Sequence, residues 1–248
     1  MEQLLSTKLH IPSIRPEFVP RPHLIERLND GLHRKLTLVS ASAGFGKTTF
    51  VAEWSWQAEH TITWLSLDRN DNDPVRFFNY LIAALQKIDP EICQTAQTIL
   101  QTPPLIDPEP LLINITNEVS EKLMPFFLIL DDYHVIEAPE IHQIVSFLLD
   151  HAPSHMHMVI ITRSDPPLPI ARLRGRGQLT EILVADLRFR SKEIKIFLNE
   201  VMGLMLSDRQ VASLEKRTDG WIVGLQLAAL SMQGREDKVA FFNSFTGS

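Results

Sequence analysis

The sequence has a single cysteine, Cys93, so no disulfide bond can form within its 248 residues. It contains no apolar run near the roughly 18 residues that a membrane-spanning helix needs. Its first residues lack the basic and apolar regions of a signal peptide. The formal net charge is −6, whereas a surface that grips nucleic acid is usually basic. These absences predict a cytoplasmic protein without membrane contact, in which this segment does not itself bind DNA.

The remaining composition, with 44% hydrophobic and 22% charged residues, is ordinary for a globular protein. Short apolar runs predict five strands, at 36–40, 62–67, 126–130, 158–162 and 182–184. Helical patterns separate these runs, and such alternation predicts a parallel, doubly wound α/β sheet. After residue 185 the apolar runs stop, and helices are predicted at 191–201, 207–216 and 219–232. We therefore predict a nucleotide-binding domain at 1–184 and a small all-α domain at 185–248.

The segment Ala41–Thr49, here called the phosphate loop, lies between the first predicted strand and a helix that begins at Lys47. Its glycines allow the backbone N–H groups to point inward at phosphate oxygens, above a helix N-terminus. The strict motif has glycine at position 41, and Ala41 fits if its φ is negative. The predicted nucleotide-binding residues are Ala43, Gly44, Phe45, Gly46, Lys47, Thr48 and Thr49.

Further polar residues follow the third and fourth predicted strands, and carboxyl ends of parallel strands meet at one ligand-binding edge. We expect Lys47 to contact the β- and γ-phosphates, and Thr48 with Asp131 to bind Mg²⁺. Asp132 would orient or deprotonate the attacking water, and Arg163 would stabilise the γ-phosphate. Two alternatives remain: Asp131 or Asp132 only caps the next turn, or Arg163 is solvated. The basic cluster Arg172–Arg176 could likewise contact phosphate, another subunit or water.

Four motifs occur in order: SAGFGKTT, FFLILDDYHVI, VIITRSDPPLPIARLRGRGQL and RTDGWIVGLQLAALS. With these motifs the chain resembles the N-terminal ATPase region of the large ATP-binding LuxR-type transcription regulators, which include the maltose-regulon activator. They belong to the signal-transduction ATPases with numerous domains. The resemblance implies a P-loop NTPase fold with a five-stranded parallel sheet in the order 5-1-4-3-2.

The resemblance also implies that Val19 and Arg21, in the segment Phe18–Arg21, contact the adenine, and that the helix at Gly220–Trp221 lies near the nucleotide. We interpret Trp221 itself as a core residue. The family resemblance further implies that this chain is a fragment of a longer protein. In that protein a C-terminal sensor would bind an inducer, and a C-terminal helix-turn-helix would bind DNA. An ADP-bound monomer would become an ATP-bound homo-oligomer.

The sequence thus predicts an ATP/ADP switch module that uses Mg²⁺ and hydrolyses ATP slowly. Two other classes stay open. One is a continuously active ATPase or kinase, for which Arg172–Arg176 could form a basic lid. The other is an interaction scaffold in which the nucleotide is structural. The same module could also belong to a kinase-type regulator.

Overall fold

A computed structural model describes residues 4–14, 18–101 and 107–233 of the chain. The last part of the predicted helical domain, from residue 234 onward, lies outside these residues. Within the described part of the chain, no helix is long and apolar enough to cross a membrane.

Five parallel strands form the centre of the molecule. They are β1 (Leu36–Ser40), β2 (Thr61–Ser66), β3 (Phe126–Asp131), β4 (Met156–Thr162) and β5 (Leu179–Leu183). Their order in the sheet is β2-β3-β4-β1-β5, which confirms the order that the sequence motifs implied. In register, Ser40 pairs with Thr162, and Ser66 with Asp131, so these carboxyl ends meet at one edge.

Helices cover both faces of this sheet. The larger ones are α1 (Pro22–Asp30), α2 (Lys47–Gln57), α3 (Pro74–Leu85), α4 (Gln94–Leu100), α5 (Glu109–Lys122), α6 (Pro139–His151) and α7 (Ile170–Gly175). Side chains alternate across the strands, so Leu128 and Leu130 join one core, and Phe127 and Ile129 join the other. The sequence of a strand that is buried on both faces is a nearly continuous apolar run, and β3 is an example.

The chain after β5 is helical, as predicted. It continues through α8 (Val184–Leu187), α9 (Ser191–Ile196), a π-helical turn at Phe197–Val201, α10 (Asp208–Thr218) and α11 (Ile222–Met232). The helices α9 to α11 enclose a third hydrophobic cluster, which includes Leu198, Leu214 and Leu225. By contrast, Leu187 packs with the α1–α2 face of the sheet.

Several boundaries differ from the predicted ones. Strand β5 begins at Leu179 rather than Ile182, and β4 begins at Met156 rather than at residue 158. Each extra stretch pairs with a neighbouring strand: Leu179 with Leu36, and Met156 with Phe126. Partner strands therefore set these starts, and the apolar pattern of a single segment does not contain that information.

Candidate functional site

The phosphate loop connects β1 to α2 and has the backbone that the glycine pattern predicts. Gly44 and Gly46 have φ values of +82° and +74°, a region that residues with a Cβ rarely enter. Ala41 is not among the residues with positive φ, so alanine is tolerated at the position where the strict motif has glycine. The loop therefore exposes its N–H groups above the start of α2, an arrangement that binds anions.

Lys47 is the first residue of α2, and its side chain folds back over the loop. The Nζ atom donates a hydrogen bond to the carbonyl oxygen of Ser42 at 3.0 Å, and the residue is buried. Burial, together with the nearby charge of Arg163, lowers the pKa of the Lys47 ammonium. Because the charged form is poorly solvated, an anionic ligand at this position would stabilise it.

Thr48 and Asp131 lie beside each other at the carboxyl edge of the sheet. The Thr48 hydroxyl donates to Oδ1 of Asp131 at 3.0 Å, and the same oxygen accepts from the Asp132 backbone N–H at 2.9 Å. Burial, and then the charge of Asp132, raise the pKa of Asp131 to about 6. A bound cation would offset both effects.

This oxygen donor set fits Mg²⁺. The ion is usually held by one or two protein oxygens together with water and substrate phosphates. Among the described residues there is no group of three or more histidine, cysteine or acidic side chains that could hold a metal alone. The predicted pair, Thr48 and Asp131, is therefore brought together with the chemistry that Mg²⁺ requires.

Asp132 and Arg163 lie at the mouth of the same cleft. Asp132 adopts a left-handed backbone with φ of +57°, and its side chain makes no capping hydrogen bond to the turn that follows. Arg163 follows β4, is exposed, and lines the cleft together with Lys47 and Asp132. The structure thus places four predicted catalytic residues, Lys47, Asp131, Asp132 and Arg163, around one edge of the sheet.

The helical region contacts the phosphate loop directly through Asp219–Val223, here called the contact turn. The indole Nε1 of Trp221 donates to the carbonyl of Ala43 at 3.1 Å, and the Val223 N–H donates to the carbonyl of Gly44 at 3.4 Å. Trp221 is half-buried and belongs to none of the three core clusters. The interpretation of Trp221 as a core residue is therefore wrong. The sequence pattern could not show this contact, because the partner Ala43 lies 178 positions away in the chain.

The opposite end of the cleft is bounded by Phe18–Arg21, here called the entry segment. Val19, which is predicted to contact the adenine, is buried and lines the cleft. Arg21 also lines it, but its guanidinium binds protein groups: Nη1 donates to the carbonyl of Leu187 at 2.8 Å and Nη2 to that of Arg188 at 2.9 Å. Its Nε donates to Glu193 at 3.2 Å. Arg21 thus ties the entry segment to the start of the helical region.

These segments enclose a cleft of about 640 Å³. Its lining includes the predicted residues Val19, Arg21, Ala43, Gly44, Phe45, Gly46, Lys47, Thr48, Thr49, Asp132 and Arg163. Asp131 lies beneath it, in contact with Thr48. The basic cluster is not in the lining, and two of its members pair with carboxylates: Arg172 with Asp150, and Arg174 with Glu181.

Sequence reasoning missed part of this lining, namely Ser13, Phe50, Glu53, Phe189, Phe197, Val201, Met202, Ile222, Val223 and Gln226. Most of these residues lie on helices that were predicted, but a helical pattern does not say which neighbour a face meets. The sequence holds one signal for Glu53, a carboxylate within the short apolar run 50–54 of α2, but this signal does not indicate a cleft.

Comparison with known proteins finds relatives among HTH-type transcriptional regulators. The chain is 36% identical over 228 residues to the HTH-type transcriptional regulator MalT of Serratia proteamaculans, which covers 92% of this chain. It is 35% identical over the same length to MalT of Yersinia enterocolitica. In both cases the chain spans about a quarter (25%) of the relative's length. A scan against models of protein families finds no match.

Solved structures give the fold. A signal transduction ATPase with numerous domains from Pyrococcus horikoshii, which carries a tetratricopeptide repeat sensor, superimposes with a TM-score of 0.66 at 17% identity. The match covers 94% of this chain and 32% of that one. A Walker-type ATPase of Pyrococcus abyssi superimposes with a TM-score of 0.57 at 14% identity. This match covers 92% of this chain and 71% of that one. The chain is thus homologous to MalT-like transcription regulators over a quarter of their length, and it has the P-loop NTPase fold of the signal transduction ATPases with numerous domains.

Proposed function

We propose that this chain is the ATP- or ADP-binding switch module of a larger, signal-responsive transcription regulator. The observation that carries the proposal is the contact turn. Trp221 and Val223 of the helical region bind carbonyls of the phosphate loop itself. A change of nucleotide at that loop would therefore change the position of the helical region, which is what a switch requires.

The phosphate end of the cleft supports nucleotide binding. The loop N–H groups and Lys47 would bind the β- and γ-phosphates, and Thr48 with Asp131 would hold Mg²⁺. The bound ion would neutralise charge on the phosphate oxygens and satisfy the buried carboxylate of Asp131.

ATP hydrolysis on this proposal is slow and secondary to the switch. The half-buried carboxylate of Asp132 would orient the attacking water, and Arg163 would stabilise charge at the γ-phosphate. The two side chains lie at the mouth of the cleft, open to water. A switch needs a long-lived bound state, so rapid turnover by the isolated chain would contradict this role.

The remaining features concern the whole regulator. We place a nucleotide-binding domain at 1–184 and a helical domain from 185. The regulator would be a cytoplasmic monomer when ADP is bound and a homo-oligomer when an inducer and ATP are bound. Inducer and DNA would bind to parts of the regulator outside this chain. The MalT relatives are named as HTH-type transcriptional regulators, which supports the DNA-related part of the proposal.

The kinase alternative has less support, because it needs free basic residues over the cleft. Arg172 and Arg174, the residues that could have formed a basic lid, pair with Asp150 and Glu181 instead.

The proposal is tested by purifying the chain without added nucleotide, denaturing it, and quantifying the released nucleotide by chromatography. We expect close to one ADP per chain. The variant Lys47→Ala should lose it, because the phosphates lose their ammonium partner, whereas Lys216→Ala, at an exposed lysine of α10, should retain it. Circular dichroism would show that both variants are folded. An empty protein that also fails to bind added ADP would contradict the proposal, and rapid turnover of added ATP would favour the enzyme alternative.

A further inference from the structure

Glu53 is a buried carboxylate that faces the cleft without a strong partner. It lies on α2, is 3% exposed, and belongs to the cleft lining. Among the described residues, its one hydrogen bond comes from Nε2 of Gln57 at the long distance of 3.5 Å. A buried carboxylate normally accepts several hydrogen bonds, because loss of its hydration is costly. Burial accordingly raises the pKa of Glu53.

Glu53 lies further along α2 than Lys47, on the side away from the phosphate loop. The helix rises 1.5 Å per residue, so Glu53 lies about 9 Å along the axis from Lys47, at the phosphate end. This separation is on the scale of the distance from the phosphates of a nucleotide to its base. Phe18 and Val19 of the entry segment line the same cleft, and their apolar side chains suit the faces of a purine.

The charge of Arg21 acts on Glu53 and lowers its pKa in part, but Arg21 makes its hydrogen bonds to other groups. Arg21 directs bonds from all three of its nitrogens to Glu193 and to the carbonyls of residues 186–188, and its guanidinium stacks over Phe189 at 4.7 Å. This end of the cleft therefore presents an acceptor oxygen on Glu53, while Arg21 has its hydrogen bonds directed away to the helical region.

We propose that Glu53 accepts a hydrogen bond from the exocyclic amino group of adenine and thereby selects ADP and ATP over guanine nucleotides. Guanine carries a carbonyl oxygen at the equivalent ring position, which would face the carboxylate and be repelled. A ligand N–H supplies the partner that the protein does not. The inference rests on the proposed nucleotide-binding function and adds the residue that reads the base.

The test is a double-mutant cycle between the protein and the ligand. Calorimetry on nucleotide-free protein would measure the affinity of ADP and of purine riboside 5′-diphosphate, which is ADP without the amino group. The wild type is compared with Glu53→Met, which has a similar length but no strong acceptor, and with Glu53→Gln, which keeps an acceptor oxygen. Glu59→Met makes the same change at an exposed carboxylate just beyond α2.

We expect Glu53→Met to bind ADP about tenfold or more weakly than the wild type, as for loss of a hydrogen bond to a charged group. Its affinity for purine riboside diphosphate should be unchanged, and Glu53→Gln should recover most of the ADP affinity. Glu59→Met should match the wild type for both ligands. GDP should bind the wild type more weakly than ADP, and this preference should shrink in Glu53→Met.

Two results would overturn the inference while leaving the proposed function intact. One is an equal loss of affinity for ADP and for purine riboside diphosphate, which would mean a purely structural role. The other is a wild type that binds GDP as tightly as ADP. If the wild type binds none of these nucleotides, the proposed function fails first, and the inference fails with it.

Discussion

The phosphate end of the cleft takes its shape from the continuous segment Ala41–Thr49, whereas the other end is assembled from parts far apart in the chain. Arg21 of the entry segment and its partner Glu193 are separated by 172 positions. The first end is specified by local backbone geometry, chiefly the positive φ values of Gly44 and Gly46. The second end depends on how the helical region packs against the sheet. Damage to the two ends should therefore have different consequences.

The largest expected effect on stability belongs to the assembled end. Replacing Arg21 with methionine leaves the Glu193 carboxylate and the carbonyls of residues 186–188 without their buried donor. Removal of one partner from a buried ion pair typically costs about 3–5 kcal/mol. We expect a loss of this order in the free energy of unfolding, measured by urea denaturation. Arg27→Met removes the partly exposed pair with Asp186 and should cost about 1 kcal/mol or less. Equal losses of unfolding free energy in the two variants would contradict the expected difference between a buried and an exposed ion pair.

Damage to the phosphate end should instead change how the free energy of unfolding depends on pH. The pKa of Asp131 is raised from its ordinary value of 3.8 to about 6, so the folded state binds more protons than the unfolded state between these values. Titration of Asp131 alone should therefore lower the stability of the nucleotide-free, metal-free protein by about 3 kcal/mol as pH rises through this window. His157 acts in the opposite direction, since burial lowers its pKa from 6.5 to about 4.

Comparison with Asp131→Asn separates the two contributions. The variant lacks the carboxylate, so its stability relative to the wild type should grow by about 3 kcal/mol from pH 3.8 to pH 6 and then stay constant. Urea unfolding at a series of pH values, with a chelator present, would measure this difference. A difference that does not vary with pH would show that Asp131 does not titrate as described. The same variant should also lose the Mg²⁺-dependent part of its nucleotide affinity.

A smaller effect is expected within the phosphate loop itself. Gly44→Ala should cost about 2 kcal/mol, because a left-handed backbone disfavours a Cβ. That Cβ would also lie 2.6 Å from Nε1 of Trp221. Calorimetric unfolding would show the loss, and ADP affinity should fall with it. Ala41→Gly restores the strict motif but should change stability by no more than about 0.5 kcal/mol, since Ala41 has no positive φ to relieve. A gain in affinity from Ala41→Gly would contradict this reading of the loop.

The same contrast explains what the sequence could and could not predict. The phosphate loop, α2 and the buried β3 follow from local patterns, and α2 begins at the predicted Lys47. The sheet order came from the family resemblance, because periodicity does not say which strands are neighbours. The short helix Gln94–Leu100 was missed in a segment with weak patterning. Glu53 was missed as a cleft residue because its significance depends on Val19 and Arg21, which only the fold brings near it.

The contact between Trp221 and Ala43 also gives this molecule an intrinsic optical reporter. Two of the four tryptophans, Trp54 and Trp64, are 1% exposed and belong to the core, and Trp56 is 60% exposed on the surface. Trp221 alone among them has its indole on the phosphate loop. Separation of the contact turn from the loop would transfer this indole to water and shift its emission to longer wavelength. In the variant Trp56→Phe, which lacks the exposed surface tryptophan, the wavelength of the emission maximum would then report opening of the cleft.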